Sequence, residues 1–133
     1  MRNNILIVLI IFYQIFFLNN FFAKEIEFDA SDIEMIKDQN LTIAKNGTAN
    51  IKDDGIIIEG ITIEYFKDKS LILVSQGKIF KVDLNLEIQS GTIEYNIEDG
   101  KINFTNKVKI VDKVNNLIIY SDKIKYNLRN KNI

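Results

Sequence analysis

Apolar and polar positions alternate along most of the chain after residue 23, which is the pattern of half-buried β-strands. A period of two places the apolar side chains of a strand on one face. β-Branched and aromatic residues predominate in these runs, and no stretch has a sustained helical period with caps. The pattern therefore predicts an all-β domain over residues 24–133. Two clear runs are Ile61, Ile63, Tyr65 and Ile93, Tyr95, Ile97.

Residues with turn preferences separate the apolar runs. An Asp-Gly pair favours a tight turn because both positions tolerate positive φ. The segments between turns have about 10 to 15 residues and would span roughly 35 to 50 Å as strands. Strands of that length usually bend, and Gly47, Gly77 and Asn106 lie midway along theirs, where a bulge or kink is easiest. The predicted turns are Lys37–Asn40, Asp53–Gly55, Lys67–Ser70, Asp99–Gly100 and Asn115–Asn116.

A three-residue motif recurs at steps of 30, 30 and 31 residues. If equivalent positions of successive units stack, the first and third residues of each motif face one side and the middle residues face the other. The stack predicts an apolar wall, which is either the lining of a groove or the core of a closed sandwich. The four copies are Ile33-Glu34-Met35, Ile63-Glu64-Tyr65, Ile93-Glu94-Tyr95 and Ile124-Lys125-Tyr126.

The first 23 residues have the layout of a secretory signal. Arg2 precedes the apolar run Ile5–Leu18, and Ala23 suits the last position before a cleavage site. Phe21 stands where a second small residue is expected, and the segment is close to the roughly 20 residues that a spanning helix needs. A retained membrane anchor is therefore the alternative. Either interpretation places residues 24–133 outside the cytoplasm.

The composition removes most catalytic and metal chemistry from consideration. The 133 residues include no His and no Cys, so the usual general base, thiol nucleophile and zinc ligands are missing. The formal net charge of −1 indicates no basic face for nucleic acid. We therefore expect no enzyme activity, no cofactor, no metal site and no nucleic-acid partner. Acid pairs such as Asp53 and Asp54 are expected in turns rather than in the cleft of a polysaccharide lyase or hydrolase.

The fullest repeat unit runs from Gly60 to Ile79. It has a small residue, an Ile-Glu-Tyr strand end, an acidic turn, an apolar strand and a second glycine. This unit resembles the repeat of the organic-solvent-tolerance (OstA-like) family of LptA and LptD-type lipopolysaccharide transport proteins. The resemblance covers Ile26 to about Asn127. The chain departs from the family pattern at Met35, Lys107 and Lys125.

The resemblance implies an elongated antiparallel β-jelly roll drawn out into an open, V-shaped trough. It also implies a periplasmic protein that binds lipopolysaccharide and carries it from the inner to the outer membrane. The apolar wall would then be the groove that shields the acyl chains. The implied groove residues are Ile33, Met35, Ile63, Tyr65, Leu71, Leu73, Ile93, Tyr95, Ile102, Phe104, Ile124 and Tyr126.

A sheet of this kind that does not close has two free edges. Its first and last strands, Glu25–Lys37 and Leu117–Asn127, would offer unpaired backbone groups to another chain. We therefore expect edge-strand pairing with other jelly-roll transport components, and head-to-tail self-association. The alternative is a β-solenoid with a structural or adhesive role at the cell surface, because a repeat near 30 residues also suits that fold.

Overall fold

The computed structural model describes residues 24–129, so the predicted signal segment lies outside the described residues. These residues form one sheet of seven antiparallel strands, arranged in the order of the sequence. No helix in this part of the chain has the length and apolar character that a membrane span requires. The strands are β1 Ile26–Ile36, β2 Leu41–Ile51, β3 Ile56–Phe66, β4 Leu71–Lys81, β5 Leu86–Asn96, β6 Lys101–Asp112 and β7 Leu117–Asn127.

The first four turns are short 3₁₀ segments that each end on a left-handed residue. The turns are Lys37–Gln39, Lys52–Asp54, Lys67–Lys69 and Val82–Leu84, and the left-handed residues are Asn40, Gly55, Ser70 and Asn85. Turns at the same end of the sheet stack through backbone hydrogen bonds, such as the 3.0 Å bond from the Val82 amide to the Gly55 carbonyl. All five predicted turns are confirmed, and the turn after β4 is an additional one.

Long strands bend near their middle. In β3 the buried positions are Ile56, Ile58 and Gly60 before the bend, but Ile63 after it, so the inward face moves by one residue. The left-handed residues at the bends are Asn46, Gln76, Asn106 and Lys107. The kink was predicted at Gly47, Gly77 and Asn106. The positive φ falls on Asn106 itself, but on the residues just before the two glycines, and these glycines serve close packing instead.

The bends fold the sheet back on itself into two facing halves. We call half-sheet A the part that carries the turns Lys52–Asp54 and Val82–Leu84, and half-sheet B the part that carries Lys37–Gln39 and Lys67–Lys69. Contacts between the halves join residues far apart in sequence: the ring centroids of Phe28 in half-sheet A and Tyr65 in half-sheet B lie 6.3 Å apart. The hydrophobic core lies between the two half-sheets.

The sheet stays open, because β1 and β7 lie at its two ends and do not pair with each other. This confirms the predicted all-β, elongated, antiparallel fold. Equivalent units begin at β1, β3, β5 and β7, which are not neighbours in the sheet. A solenoid would stack equivalent strands directly on each other, so the solenoid alternative is wrong for residues 24–129.

Candidate functional site

The strand register places most of the predicted groove residues in two rows on the inner face of half-sheet B. The first row is Ile33, Ala44, Ile63, Val74, Ile93, Phe104 and Ile124. The second row is Met35, Thr42, Tyr65, Ile72, Tyr95, Ile102 and Tyr126. Equivalent residues of the motif therefore share a row and a face, as predicted, but they lie in every second strand.

Two of the predicted residues, Leu71 and Leu73, lie on the wrong face. Ile72 is the partner of Tyr65, so the residues on either side of Ile72 point outward. Leu73 shares an outer row with Glu64 and Glu94. The prediction failed because it took the alternation of β4 from the apolar residues alone, and β4 is apolar on both faces near its start. Ile72 and Val74 supply the inner positions, and both are buried.

Half-sheet A covers most of the predicted wall. Ile63, Ile93, Tyr95 and Phe104 are each 0% exposed, and Ile102 is 1% exposed. Ile124 and Tyr126 are also buried, and Tyr65 is half-buried. The interior of this sheet is thus filled by its own side chains, mostly isoleucine and aromatic residues. Burying such side chains contributes about 1.5 to 3 kcal/mol each to stability.

Ile33 and Met35 belong to the same rows but are 42% and 71% exposed. The reason is an offset between the half-sheets along the order of the strands. Phe28 of β1 in half-sheet A faces Tyr65 of β3 in half-sheet B, so strands of half-sheet A cover strands further along in half-sheet B. The half-sheet B part of β1 therefore has no covering strand among residues 24–129. The offset leaves the half-sheet A part of β7 uncovered as well.

A polar cluster lies at the junction where the ends of the two half-sheets meet, which we call the seam. The Tyr95 hydroxyl, at the end of half-sheet B, donates a hydrogen bond to the Asp54 carboxylate in half-sheet A. The Lys24 ammonium donates to Asp54 Oδ1 at 2.6 Å and to the Ile97 carbonyl at 3.2 Å. We call Lys24, Asp54 and Tyr95 the seam clasp. Asp54 lies in the predicted turn. Its contact with Tyr95 joins residues 41 positions apart and leaves no local pattern in the sequence.

Burial, the hydrogen bond to Asp54 and the negative charge of Asp54 all raise the pKa of the Tyr95 phenol, burial having the largest effect. The unfolded chain releases this proton near pH 10, whereas the folded chain retains it. The contribution of Tyr95 to stability is therefore complete below about pH 10 and is lost as the pH rises further.

We expect Tyr95→Phe to lower the free energy of unfolding by about 1 kcal/mol at neutral pH, because one hydrogen bond is lost. Above about pH 10 the free energy of unfolding should fall less steeply with pH in the variant than in the wild type. The two slopes should differ by up to about 1.4 kcal/mol per pH unit. Urea unfolding at neutral and alkaline pH measures both effects. Tyr120→Phe, which removes an exposed hydroxyl, is the control. If the free energy of unfolding falls equally steeply above pH 10 in Tyr95→Phe and in the wild type, the seam clasp is contradicted.

Near Leu84 and Tyr126, the residues at the seam differ from those of the seam clasp. The residue 30 positions after Asp54 is Leu84, and the tyrosine that lines the same cavity is Tyr126. This cavity of about 400 Å³ is lined by Asp83, Leu84, Leu86, Asp112, Val114, Asn115 and Tyr126. Burial is the main cause that raises the pKa of the Tyr126 phenol, and the negative charge of Asp83 adds to it. The apolar side chains of Leu84, Leu86 and Val114 therefore line a cavity at this end of the seam.

A second groove, of about 1460 Å³, follows the line of the strand bends. Its walls are polar, with Asn46, Gln76 and Asn106 from alternate strands, and its floor includes Gly60 and Gly77. Within residues 24–129 no group of three or more His, Cys, Asp or Glu side chains is placed to hold a metal ion. The other large feature of these residues is the apolar interior, which their own side chains fill.

Comparisons with known proteins bear on the fold. No protein-family model matches the chain, and no curated protein matches it by sequence. Among solved structures, the chain is similar to LptH, the LptA-homologous periplasmic component of the conserved lipopolysaccharide transport device from Pseudomonas aeruginosa. The TM-score is 0.72 at 13% sequence identity, over 82% of this chain and 80% of that chain. At this identity the likeness establishes a shared fold.

Proposed function

We propose that this protein is a periplasmic carrier that shields the acyl chains of lipopolysaccharide between its two half-sheets. The observation that carries the proposal is a continuous apolar interior in a sheet that remains open at both ends. The fold that it shares with LptH, itself named as a component of a lipopolysaccharide transport device, supports the same assignment. No catalytic step is part of this function.

The physical need for such a carrier is large. Exposing an acyl chain to water costs about 0.8 kcal/mol per methylene, so a lipid with several chains does not cross an aqueous compartment unaided. The inner rows offer isoleucine, valine and aromatic side chains, which form no directional bond with any one methylene. An acyl chain can therefore slide along the rows while its sugars remain in solvent.

Acyl chains would enter by parting the half-sheets at the seam. The Leu84 end is the proposed entry, because a cavity already lies there, with Leu84, Leu86 and Val114 among its lining residues. The clasp end requires breaking the hydrogen bonds of Asp54 first. Lipid binding thus exchanges contacts between the half-sheets for contacts with hydrocarbon.

The second part of the proposal concerns the sheet edges. Within residues 24–129, β1 and β7 each have one row of backbone N–H and C=O groups that no other strand pairs with, and another strand can pair with these rows. Head-to-tail addition of copies, or of other jelly-roll transport components, would extend the interior from the inner towards the outer membrane. Such contacts do not close into rings by symmetry and can form filaments.

Photocrosslinking tests the lipid site. A photoreactive amino acid at Tyr65 should label lipopolysaccharide, because this side chain is half-buried on the inner face. The same amino acid at Glu64, the adjacent outward residue, is the matched control and should label at least about tenfold less. Equal labelling at the two positions, or none at Tyr65, would refute an acyl-chain site between the half-sheets.

A further inference from the structure

Charge is distributed very unevenly along the sheet. Residues 24–100 contain eight lysines and sixteen acids, whereas residues 101–129 contain seven cations and two acids. The strand order follows the sequence, so this asymmetry lies along the axis of the sheet. The β1 end is acidic and the β7 end is basic, although the formal charge of the whole chain is only −1.

The opposite charges occupy the same rows on the outer face. The row that starts at Glu34 in β1 ends at Lys125 in β7, and the row that starts at Asp32 ends at Lys123. All four side chains are exposed. Asp32 has one distant partner, Lys45 at 3.5 Å. No ion pair among residues 24–129 engages Glu34, Lys123 or Lys125.

The apolar residues at the two ends are complementary too. On the inner face, Ile33 and Met35 of β1 are uncovered in half-sheet B, and Leu117 and Ile119 of β7 are 49% and 40% exposed in half-sheet A. At the β1 end, half-sheet B lacks a covering part of half-sheet A. At the β7 end, half-sheet A lacks a covering part of half-sheet B. A second copy placed beyond β7 in the same orientation therefore supplies half-sheet B where the first copy lacks it, and receives half-sheet A in return.

We infer that a second copy of this chain docks its acidic β1 edge against the basic β7 edge, and that these charges fix the polarity of the assembly. The inference rests on the end-to-end association proposed above. β1 and β7 run in the same direction, so the copies meet through a parallel strand pair. Continuing the rows places Glu34 of the next copy beside Lys125, and Asp32 of the next copy beside Lys123. Contacts between two β1 edges would bring acid against acid, and the like charges disfavour them.

Sedimentation velocity of the purified protein tests this polarity without lipid. Association should weaken by about tenfold or more between low salt and about 0.5 M NaCl, because the paired charges are exposed and screened. A basic-end variant, Lys123→Glu with Lys125→Glu, and an acidic-end variant, Asp32→Lys with Glu34→Lys, should each lose self-association. Mixing the two variants should restore it, because each reversed end then meets an end of opposite charge.

The matched control is Glu64→Lys with Glu94→Lys, which reverses two charges of the Glu34 row in the middle of the sheet, and it should associate like the wild type. Association that responds neither to salt nor to end reversal, or a mixture that stays monomeric, overturns the charge-set polarity alone. A wild type that stays monomeric at every salt concentration overturns the end-to-end association as well. Neither result alters the labelling of lipid at Tyr65, which tests the lipid site separately.

Discussion

Gly77→Ala is expected to lower the free energy of unfolding by about 3 kcal/mol. A Cβ atom at this position would lie 2.5 Å from the backbone oxygen of Glu59 and 2.6 Å from Cγ1 of Val74. Neither atom can move away easily, because the oxygen belongs to the neighbouring strand and Val74 is 1% exposed in the core. The strands can approach this closely at the bend only without a side chain. Urea unfolding monitored by circular dichroism measures the loss.

Gly55→Asn is the control for that substitution. Gly55 has a φ of 59°, and asparagine already occupies the equivalent left-handed turn positions Asn40 and Asn85. The nearest atom to a Cβ at Gly55 is the Lys81 ammonium nitrogen, at 3.4 Å. We therefore expect a change within about 0.5 kcal/mol. If Gly77→Ala is as mild as Gly55→Asn, the bend does not depend on close approach of the strands.

The all-β fold and its strand limits are predictable from sequence, because alternation and turn residues are local signals. The left-handed turn residues Asn40, Gly55, Ser70 and Asn85 follow each other at 15 positions, so each strand and turn forms one unit. The recurring motif appears at 30 because neighbouring strands run in opposite directions. Only every second strand runs in the same direction, so the same motif recurs in the same orientation only in every second strand.

The site is less predictable, for two physical reasons. The start of β4 is apolar on both faces, so its apolar residues alone do not show which side chains point inward, and this misplaced Leu71 and Leu73. The covering of the inner rows depends on the offset between the half-sheets, which is a tertiary property. Met35 and Tyr95 hold equivalent positions in the repeat, but they are 71% and 0% exposed. No local pattern distinguishes a covered position from an uncovered one.

The filled interior relates stability to the proposed transport function. The half-sheets hold each other through apolar contacts, which are not directional, and the seam clasp is the main polar connection described between their ends. Apolar contacts can be exchanged for contacts with hydrocarbon at little net cost, whereas a broken hydrogen bond leaves a polar group to be satisfied. This difference favours opening away from the clasp.

Phe104→Ala is expected to lower the free energy of unfolding by about 3 to 5 kcal/mol, the largest single-residue effect that we predict. Phe104 is 0% exposed and lies between Ile93 and Ile124 in the first inner row. Its removal leaves an apolar cavity, which stays dry and can hold a hydrocarbon of matching shape. Since a ligand that binds the folded state raises stability, lipid should restore more stability to this variant than it adds to the wild type. Urea unfolding with and without lipopolysaccharide measures both quantities.

Phe80→Ala is the matched control on the outer face. The Phe80 ring contacts the Lys78 ammonium, 5.0 Å from its centroid, and is only partly buried. This substitution should cost about 1 kcal/mol and leave the response to lipid unchanged. If Phe104→Ala is destabilised as expected but gains no more from lipid than Phe80→Ala does, the interior is a structural core and the acyl chains bind elsewhere. If Phe104→Ala and Phe80→Ala also lower the free energy of unfolding by the same amount, the inner rows do not form the core between the half-sheets.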